Sequence, residues 1–406
     1  MTNTTTALIH HPYEPPEGFG APQPGVFKAS TVFFPNVAAM HAREWKDKTS
    51  YTYGLHGTPT TYTLEARLAT LEGGLYTLLV PSGLAAITLV NFALLKTGDE
   101  LLLPANVYGP SKVLAEGELA NFGVSLRFYD PMNPADLAAK ITPKTKLVWL
   151  EAAGSVTMEF PDLLGLVRAC RERGVVCALD NTWGAGLAFN AFDLTPGTNG
   201  SGGPLAVDIT IHALTKYPSG GGDVLMGSVT TRDSALRQRL TDTHMRTGVG
   251  VGVNDVEMVL RSLPSMAIRY AAHDAVARTL ARWLRQRPEI AQLLHPAIEG
   301  CPGYAHWQAV CGHHGADQGS AAGLFSVVFD ERITVAQVER FCDSLKLFKL
   351  GYSWGGPISL VVPYELAMIR PNRPPHLARG IIVRFSIGLE DVADLQADLA
   401  QALQHL

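Results

Sequence analysis

The sequence predicts an α/β fold: a mostly parallel central sheet followed by a smaller C-terminal α+β unit. Between Tyr76 and Ile211, short apolar runs alternate with stretches of helical spacing, as right-handed βαβ units require. Over 406 residues, 47% are hydrophobic and 17% charged, enough apolar surface for a large core. The length fits two to three domains at roughly 150 residues each.

The elements follow in order. Pro12, Pro15, Pro16, Pro22, Pro24 and Pro35 exclude a helical core at the start, so residues 1–61 read as an extended arm. From Tyr62, the apolar Leu64, Leu68 and Leu71 share a helical face that Gly73-Gly74 stops. Tyr76 to Val80 is a predicted strand, Leu84 to Leu95 a buried helix, and Glu100 to Leu103 and Lys146 to Leu150 further strands. Asp162 caps a helix over Leu163 to Arg173, stopped by Gly174 before the strand Val175 to Leu179. Thr195 to Pro204 (TPGTNGSGGP) is a surface loop before the strand Ala206 to Ile211. Long helices run from about Asp255 to Arg287, breaking near Pro264. The smaller unit carries the strand Leu324 to Phe329, the helix Thr334 to Leu345, the strand Ile381 to Phe385 and the helix Val392 to Leu403. Residues 62–264 thus form the expected larger domain and 265–406 the C-terminal one.

Lys and Arg total 33 against 37 Asp and Glu, a net charge of −4 that leaves no footprint for nucleic acid or an anionic membrane. No apolar run reaches the ~18 residues of a spanning helix, and nothing near the start resembles a signal peptide. Five scattered cysteines without a CxxC pair point to a reducing, cytoplasmic setting and to no metal site; Cys311-Gly312-His313-His314 reads as a surface loop.

Sheets of this kind place ligands at the C-terminal ends of their strands. Ser82-Gly83 at such an end is either an ordinary turn or a phosphate-binding helix start. Asp180, ending a very apolar strand, is either a cap or a functional acceptor. Lys216 lies between an apolar strand and Ser219-Gly220-Gly221-Gly222, where desolvation would make it a nucleophile toward carbonyls. Arg384, inside the strand Ile381 to Phe385, either pairs with an internal carboxylate or receives one from a substrate. With Tyr108 able to stack on a ring, the order phosphate turn, aromatic, Asp, Lys, Arg matches what pyridoxal phosphate needs. Trp183 and Phe189 read as packing residues.

From about Tyr51 onward the chain resembles the Cys/Met-metabolism family of pyridoxal-phosphate enzymes, and within it the cystathionine β-lyases. The motifs are YGLHGTPT (Tyr53 to Thr60), PSGLAAI (Pro81 to Ile87), GSVTME (Gly154 to Glu159), DNTW (Asp180 to Trp183), ALTKYPSGGGD (Ala213 to Asp223), GYSWGG (Gly351 to Gly356) and RFSIGLED (Arg384 to Asp391). The resemblance implies an aspartate-aminotransferase-like (fold type I) architecture with a seven-stranded-type central sheet. It implies a homo-oligomer, a dimer of dimers, with the arm and Tyr53 reaching a neighbouring subunit. Lys216 would bond the cofactor covalently, Asp180 would bind its pyridinium nitrogen, Gly83, Leu84 and Thr215 its phosphate, and Tyr108 its ring. The expected catalytic set is Lys216, Tyr108 and Tyr53; Arg384, Ser353 and Trp354 would bind substrate. The implied activity is cleavage of the amino-acid thioether L-cystathionine to L-homocysteine, pyruvate and ammonia, with a γ-acting member or a weakly catalytic homologue as alternatives. Three positions depart from the family pattern: Leu55 where an arginine is common, Ala213 where a serine is common, and Pro357-Ile358-Ser359 where Glu-Ser is frequent.

Overall fold

The computed structural model describes residues 4–13, 15–46, 48, 50–196, 204–312 and 319–406. Its strands, in chain order, are β1 (Tyr76–Val80), β2 (Glu100–Pro104), β3 (Ser125–Tyr129), β4 (Thr145–Glu151), β5 (Val176–Asp180), β6 (Ile209–Ala213), β7 (Gly227–Thr231), β8 (Ile290–Leu294), β9 (Leu324–Phe329), β10 (Lys349–Leu350), β11 (Leu360–Glu365) and β12 (Ile381–Ser386). The first seven form one sheet in the order β1-β7-β6-β5-β4-β2-β3, the other five a second in the order β10-β11-β12-β9-β8. In the large sheet only β7 runs against its neighbours, pairing antiparallel with both β1 and β6. The small sheet is antiparallel except where β10 meets β11.

Local signals set the helices between these strands. Thr58 and Thr61 form a reciprocal capping box at the helix Pro59–Glu72, and Gly73 ends it at φ 75°. Asp162 accepts from Gly165 N–H to start the helix Leu163–Arg173, and Gly174 stops it in the left-handed region. Pro264 marks the 3₁₀ turn that separates Val253–Ser262 from Met266–Leu284. The arm contains two short helices, Thr4–Ile9 and Val37–His41, within its otherwise irregular path.

Several elements depart from the sequence reading for identifiable reasons. The β6 strand starts at Ile209 rather than Ala206, because Asp208 turns to pair with Arg171 and to accept from Cys177 N–H at 2.8 Å. Neither β3 nor β7 has a continuous apolar run: β3 is an edge strand with alternating exposure, and β7 buries hydroxyls, Thr230 bonding Thr77 at 2.9 Å. Pro363 hides β11, yet β10 pairs only with Leu360 and Val361, so the proline sits where no second partner strand needs its N–H. A helix over Ser234–Thr247, capped by Asp233, lies where no separate element is predicted. Most of the loop Thr195 to Pro204, and His313 and His314, lie outside the described residues.

Candidate active site

After β6 the chain does not enter a helix; it turns over residues 214–219, and Lys216 stands in that turn. Lys216 N–H donates to Ala213 O at 3.1 Å, and its own carbonyl accepts from Gly220 at 2.9 Å. Its Nζ is 3.1 Å from Ser353 Oγ and 5.5 Å from the centroid of the Trp354 ring. The turn carrying Ser353 lies on the lysine backbone. Gly355 has φ +77°, and a Cβ there would stand 3.0 Å from Tyr217 N and 3.1 Å from Lys216 C. Only glycine suits both that conformation and that spacing.

Electrostatics favour a reactive amine. Burial, aided by the Arg384 guanidinium and opposed by Asp180, pulls the Lys216 ammonium down to about 8. Burial pushes Asp180 up, against its hydrogen bonds with Thr182 and the charges of His212 and Lys216. One Asp180 oxygen accepts from Thr182 N–H at 3.0 Å, the capping alternative, and no helix follows. Glu151, its registered neighbour on β4, accepts Tyr108 N–H at 2.8 Å. Burial and the Asp180 charge push the Glu151 carboxyl well above its usual range.

Arg384 has no internal ion pair among the described residues. It is 8% exposed, and its Nε and Nη2 have no partner among the described residues. No internal carboxylate pairs with it there; its guanidinium lies 5.8 Å from the Tyr364 ring centroid. Burial lowers its proton affinity, offset by Tyr364, Tyr108 and Tyr352. A buried, unpaired guanidinium is costly, so its free donors suit a carboxylate from outside.

Ser82 caps the helix Gly83–Leu94 by accepting from Ala85 N–H, leaving the N–H groups of Gly83 and Leu84 without partners among the described residues. A Cβ on Gly83 would lie 2.6 Å from Ala213 Cβ, so Ala213 sets a methyl against this helix start. The Thr215 hydroxyl stays near Met226, 3.5 Å from its carbonyl. Tyr108 is 42% exposed. Tyr53 is not brought to this cluster: it is half-exposed, bridges to Thr31, and meets the His56 ring edge-on at 6.0 Å. Within the chain, His56, beside Leu55, is turned to Thr52 and Trp45. Its Nδ1 is 2.5 Å from Thr52 Oγ1 and its ring meets Trp45 at a tilt of 37°, centroids 5.5 Å apart. Ser359 is fully buried and bonded to Glu390, a structural position. Trp183 and Phe189 pack against Phe160.

Two carboxylates received no role in the sequence reading, although Glu159 closes the GSVTME motif. Glu151 ends an apolar strand just as Asp180 does, and that was its signal. Glu159 lies in an irregular loop, where no periodicity marks it.

The cluster fits pyridoxal phosphate: an amine of lowered proton affinity, a carboxylate at a neighbouring strand end, unpartnered helix-start N–H groups and unpartnered guanidinium donors. Fold and site together define a fold-type-I pyridoxal-phosphate enzyme. The chain belongs to the Cys/Met metabolism PLP-dependent enzyme family, whose model matches residues 5–404. It is 36% identical over 397 residues to a putative cystathionine beta-lyase of Rhizobium johnstonii, covering 97% of this chain and 94% of that protein. It is 32% identical over 408 residues to the cystathionine beta-lyase of Haemophilus influenzae, covering 99% and 98%. The crystal structure of metB from Corynebacterium glutamicum superposes with a TM-score of 0.84 at 28% identity, covering 99% of this chain and 98% of that one. Among the described residues no helix is long and apolar enough to cross a membrane.

Proposed function

We propose that the protein is a carbon–sulfur β-lyase that cleaves L-cystathionine to L-homocysteine, pyruvate and ammonia, a reaction of methionine biosynthesis. The observation that carries this reading is Lys216 held against Ser353 and Trp354, with the unpartnered donors of Arg384 near enough to depress its ammonium. When bound, pyridoxal phosphate supplies an aldehyde for amines and a sink for the electron pair left at a substrate Cα. Lys216 would hold it covalently, Asp180 at the pyridinium nitrogen, Tyr108 on the ring, and Gly83, Leu84 and Thr215 at the phosphate.

The chain's own residues then divide the work. Arg384 and Ser353 receive the substrate α-carboxylate and fix the amino acid in place. Lys216, with its lowered proton affinity, takes the Cα proton. Asp180 keeps a proton on the pyridinium nitrogen. Trp354 shapes the distal pocket so that the Cβ–S bond is the one broken. The sulfur leaves with that bond's electron pair, takes up the proton held by Lys216 and departs as a thiol. One water hydrolyses the remaining amino-alkene to pyruvate and ammonia. Tyr53 would reach a neighbouring subunit's phosphate, the arm of residues 1–61 would cross with it, and the assembly would be a dimer of dimers. The domains of residues 62–264 and 265–406 would enclose each site. The five cysteines, buried and unpaired, support a cytoplasmic setting.

The test is incubation of cofactor-loaded protein with L-cystathionine and identification of products by mass spectrometry. Homocysteine with pyruvate is expected. Cysteine with 2-oxobutyrate would make it a γ-lyase and overturn the role given to Trp354. Absence of turnover would favour the weakly catalytic reading, which Leu55, packed toward Gly250, supports.

A further inference from the structure

Outside the ring of residues around Lys216 lies a buried polar knot centred on Glu159, whose side chain is fully buried. Its Oε2 accepts from Asn106 Nδ2 at 2.8 Å, Thr157 Oγ1 at 2.5 Å and Arg370 Nη1 at 3.1 Å, while His376 Nε2 stands 2.7 Å from Oε1. Burial opposes its ionisation, but His376, Arg370, Thr157 and Asn106 together bring the carboxyl down to about 2. Four donors from three separate segments therefore converge on one anion.

Those segments matter. Asn106 lies two residues before Tyr108, and its carbonyl accepts Ser155 N–H at 3.0 Å. Gly154 is pressed so close that a Cβ there would fall 1.9 Å from Asn106 Nδ2. The loop between Gly154 and Glu159 is held in a strained form: Val156 at φ 64° and Met158 at φ 54° occupy a region that β-branched and bulky residues avoid. Ser326 Oγ donates to Val156 O at 2.6 Å, and Ser326 is the registered β9 partner of Arg384. On the other side, Arg370 and His376 belong to the connection from β11 to β12, the strand that carries Arg384. The same loop is thus tied to the Tyr108 segment of the large sheet and, twice, to the surroundings of Arg384 in the small one.

We infer that Glu159 is a positioning residue, whose carboxylate fixes the Tyr108 segment relative to the Arg384 strand and so sets the ring-stacking side chain against the carboxylate receptor. This rests on the roles proposed above for Tyr108 and Arg384. Glutamine is an incomplete replacement: it lacks the charge that Arg370 meets, and its amide nitrogen would face either the three donors at Oε2 or His376, which would have to change tautomer to accept.

The test uses the cofactor-loaded protein and two variants, Glu159→Gln and Asn106→Ala, read first by the induced circular dichroism of the cofactor absorption band. That signal needs no substrate, so it reports ring orientation even if the wild type does not cleave cystathionine, which would overturn the lyase reading alone. Both variants should alter it while far-UV circular dichroism and bound cofactor stay as in the wild type. For whichever substrate the wild type turns over, kcat/KM in E159Q should fall about 100-fold, as expected for a misplaced reacting group. The double variant should lose little beyond E159Q, since Asn106 acts through the same carboxylate. N106A leaves Arg370 and His376 on Glu159, so it decides the matter if E159Q does not fold. An unchanged induced signal in N106A, or losses that add independently in the double variant, would overturn the inference.

Discussion

Glu151 and Asp180 are registered neighbours at the ends of β4 and β5, and burial pushes both carboxyls up, Glu151 the further. Glu151 accepts the Tyr108 backbone N–H, and burial together with the Asp180 charge drives its carboxyl toward the neutral form. Two like charges side by side would compete for the same proton. Asp180 has Thr182, His212 and Lys216 to offset its burial, whereas Glu151 has only backbone N–H groups, so the neutral form is favoured more at Glu151.

Glu151→Gln should therefore leave kcat/KM at neutral pH unchanged, because the amide keeps the acceptor for Tyr108. Glu151→Leu removes that acceptor and should lower stability by about 0.5–1.5 kcal/mol, the net worth of one hydrogen bond whose N–H can still meet water. Thermal unfolding beside steady-state kinetics checks both, and a large loss of turnover in E151Q would show that the ionised form is needed.

Lys216 in the apo-protein should react with an amine-directed reagent along a titration curve centred near 8. Arg384→Met removes a neighbouring cation, so the midpoint should rise toward the 10.5 of an ordinary lysine. Asp180→Asn removes an anion and should lower it. Because the folded value lies below the unfolded one, the unfolded chain binds more protons between about 8 and 10.5, and apo-protein stability gains from Lys216 as pH rises through that window.

Arg384→Met should also stabilise the protein by about 1–3 kcal/mol, since it replaces a buried guanidinium lacking partners with an apolar chain. Substrate-like carboxylates should raise the unfolding temperature of the wild type and leave that of the variant unmoved. Arg384→Lys keeps the charge but loses the planar fork, and should not restore turnover.

Leu55→Arg should slow loss of pyridoxal phosphate on dialysis, followed by absorbance, by about tenfold if the new guanidinium meets a phosphate. Leu55 now lies toward Gly250, where a Cβ would stand 2.7 Å from its Cδ1. Unaltered retention would mean that the chain compensates elsewhere.

Gly83→Ala would place its Cβ 2.6 Å from Ala213 Cβ, forcing the helix start away from β6. A stability loss of about 1–3 kcal/mol is expected, with weaker cofactor retention. Equal retention in variant and wild type would remove this turn from the phosphate site.

The legible parts of the sequence were those where one interaction dominates. Tyr76–Val80, Leu163–Arg173 and Leu324–Phe329 lie where apolar pattern and caps place them. β7 was invisible because its Ser and Thr residues are buried by pairing on both sides, a property of the neighbouring strands and not of its own composition. β11 was masked by a proline made harmless by the short reach of β10. In the site, Lys216, Asp180 and Arg384 stood out because each interrupts an apolar setting. Ser353 and Trp354 needed the resemblance, and the structure brings both to the lysine. Tyr53 was assigned by resemblance alone, and within one chain it stays with Thr31 and His56. Glu159 closes a motif of the resemblance, but its role was not legible there, since beyond Thr157 its partners are Asn106, Arg370 and His376, far apart along the chain.

The Lys216–Ser353 contact has a consequence for how the protein is made. A ribosome delivers the helix start at Gly83, Asp180 and Lys216 well before it delivers Ser353 and Arg384. A nascent chain that has released only its large sheet holds the lysine without the groups that cover it and receive a carboxylate. The lysine and the proposed carboxylate receptor are therefore brought together only after the last strand, β12, has emerged.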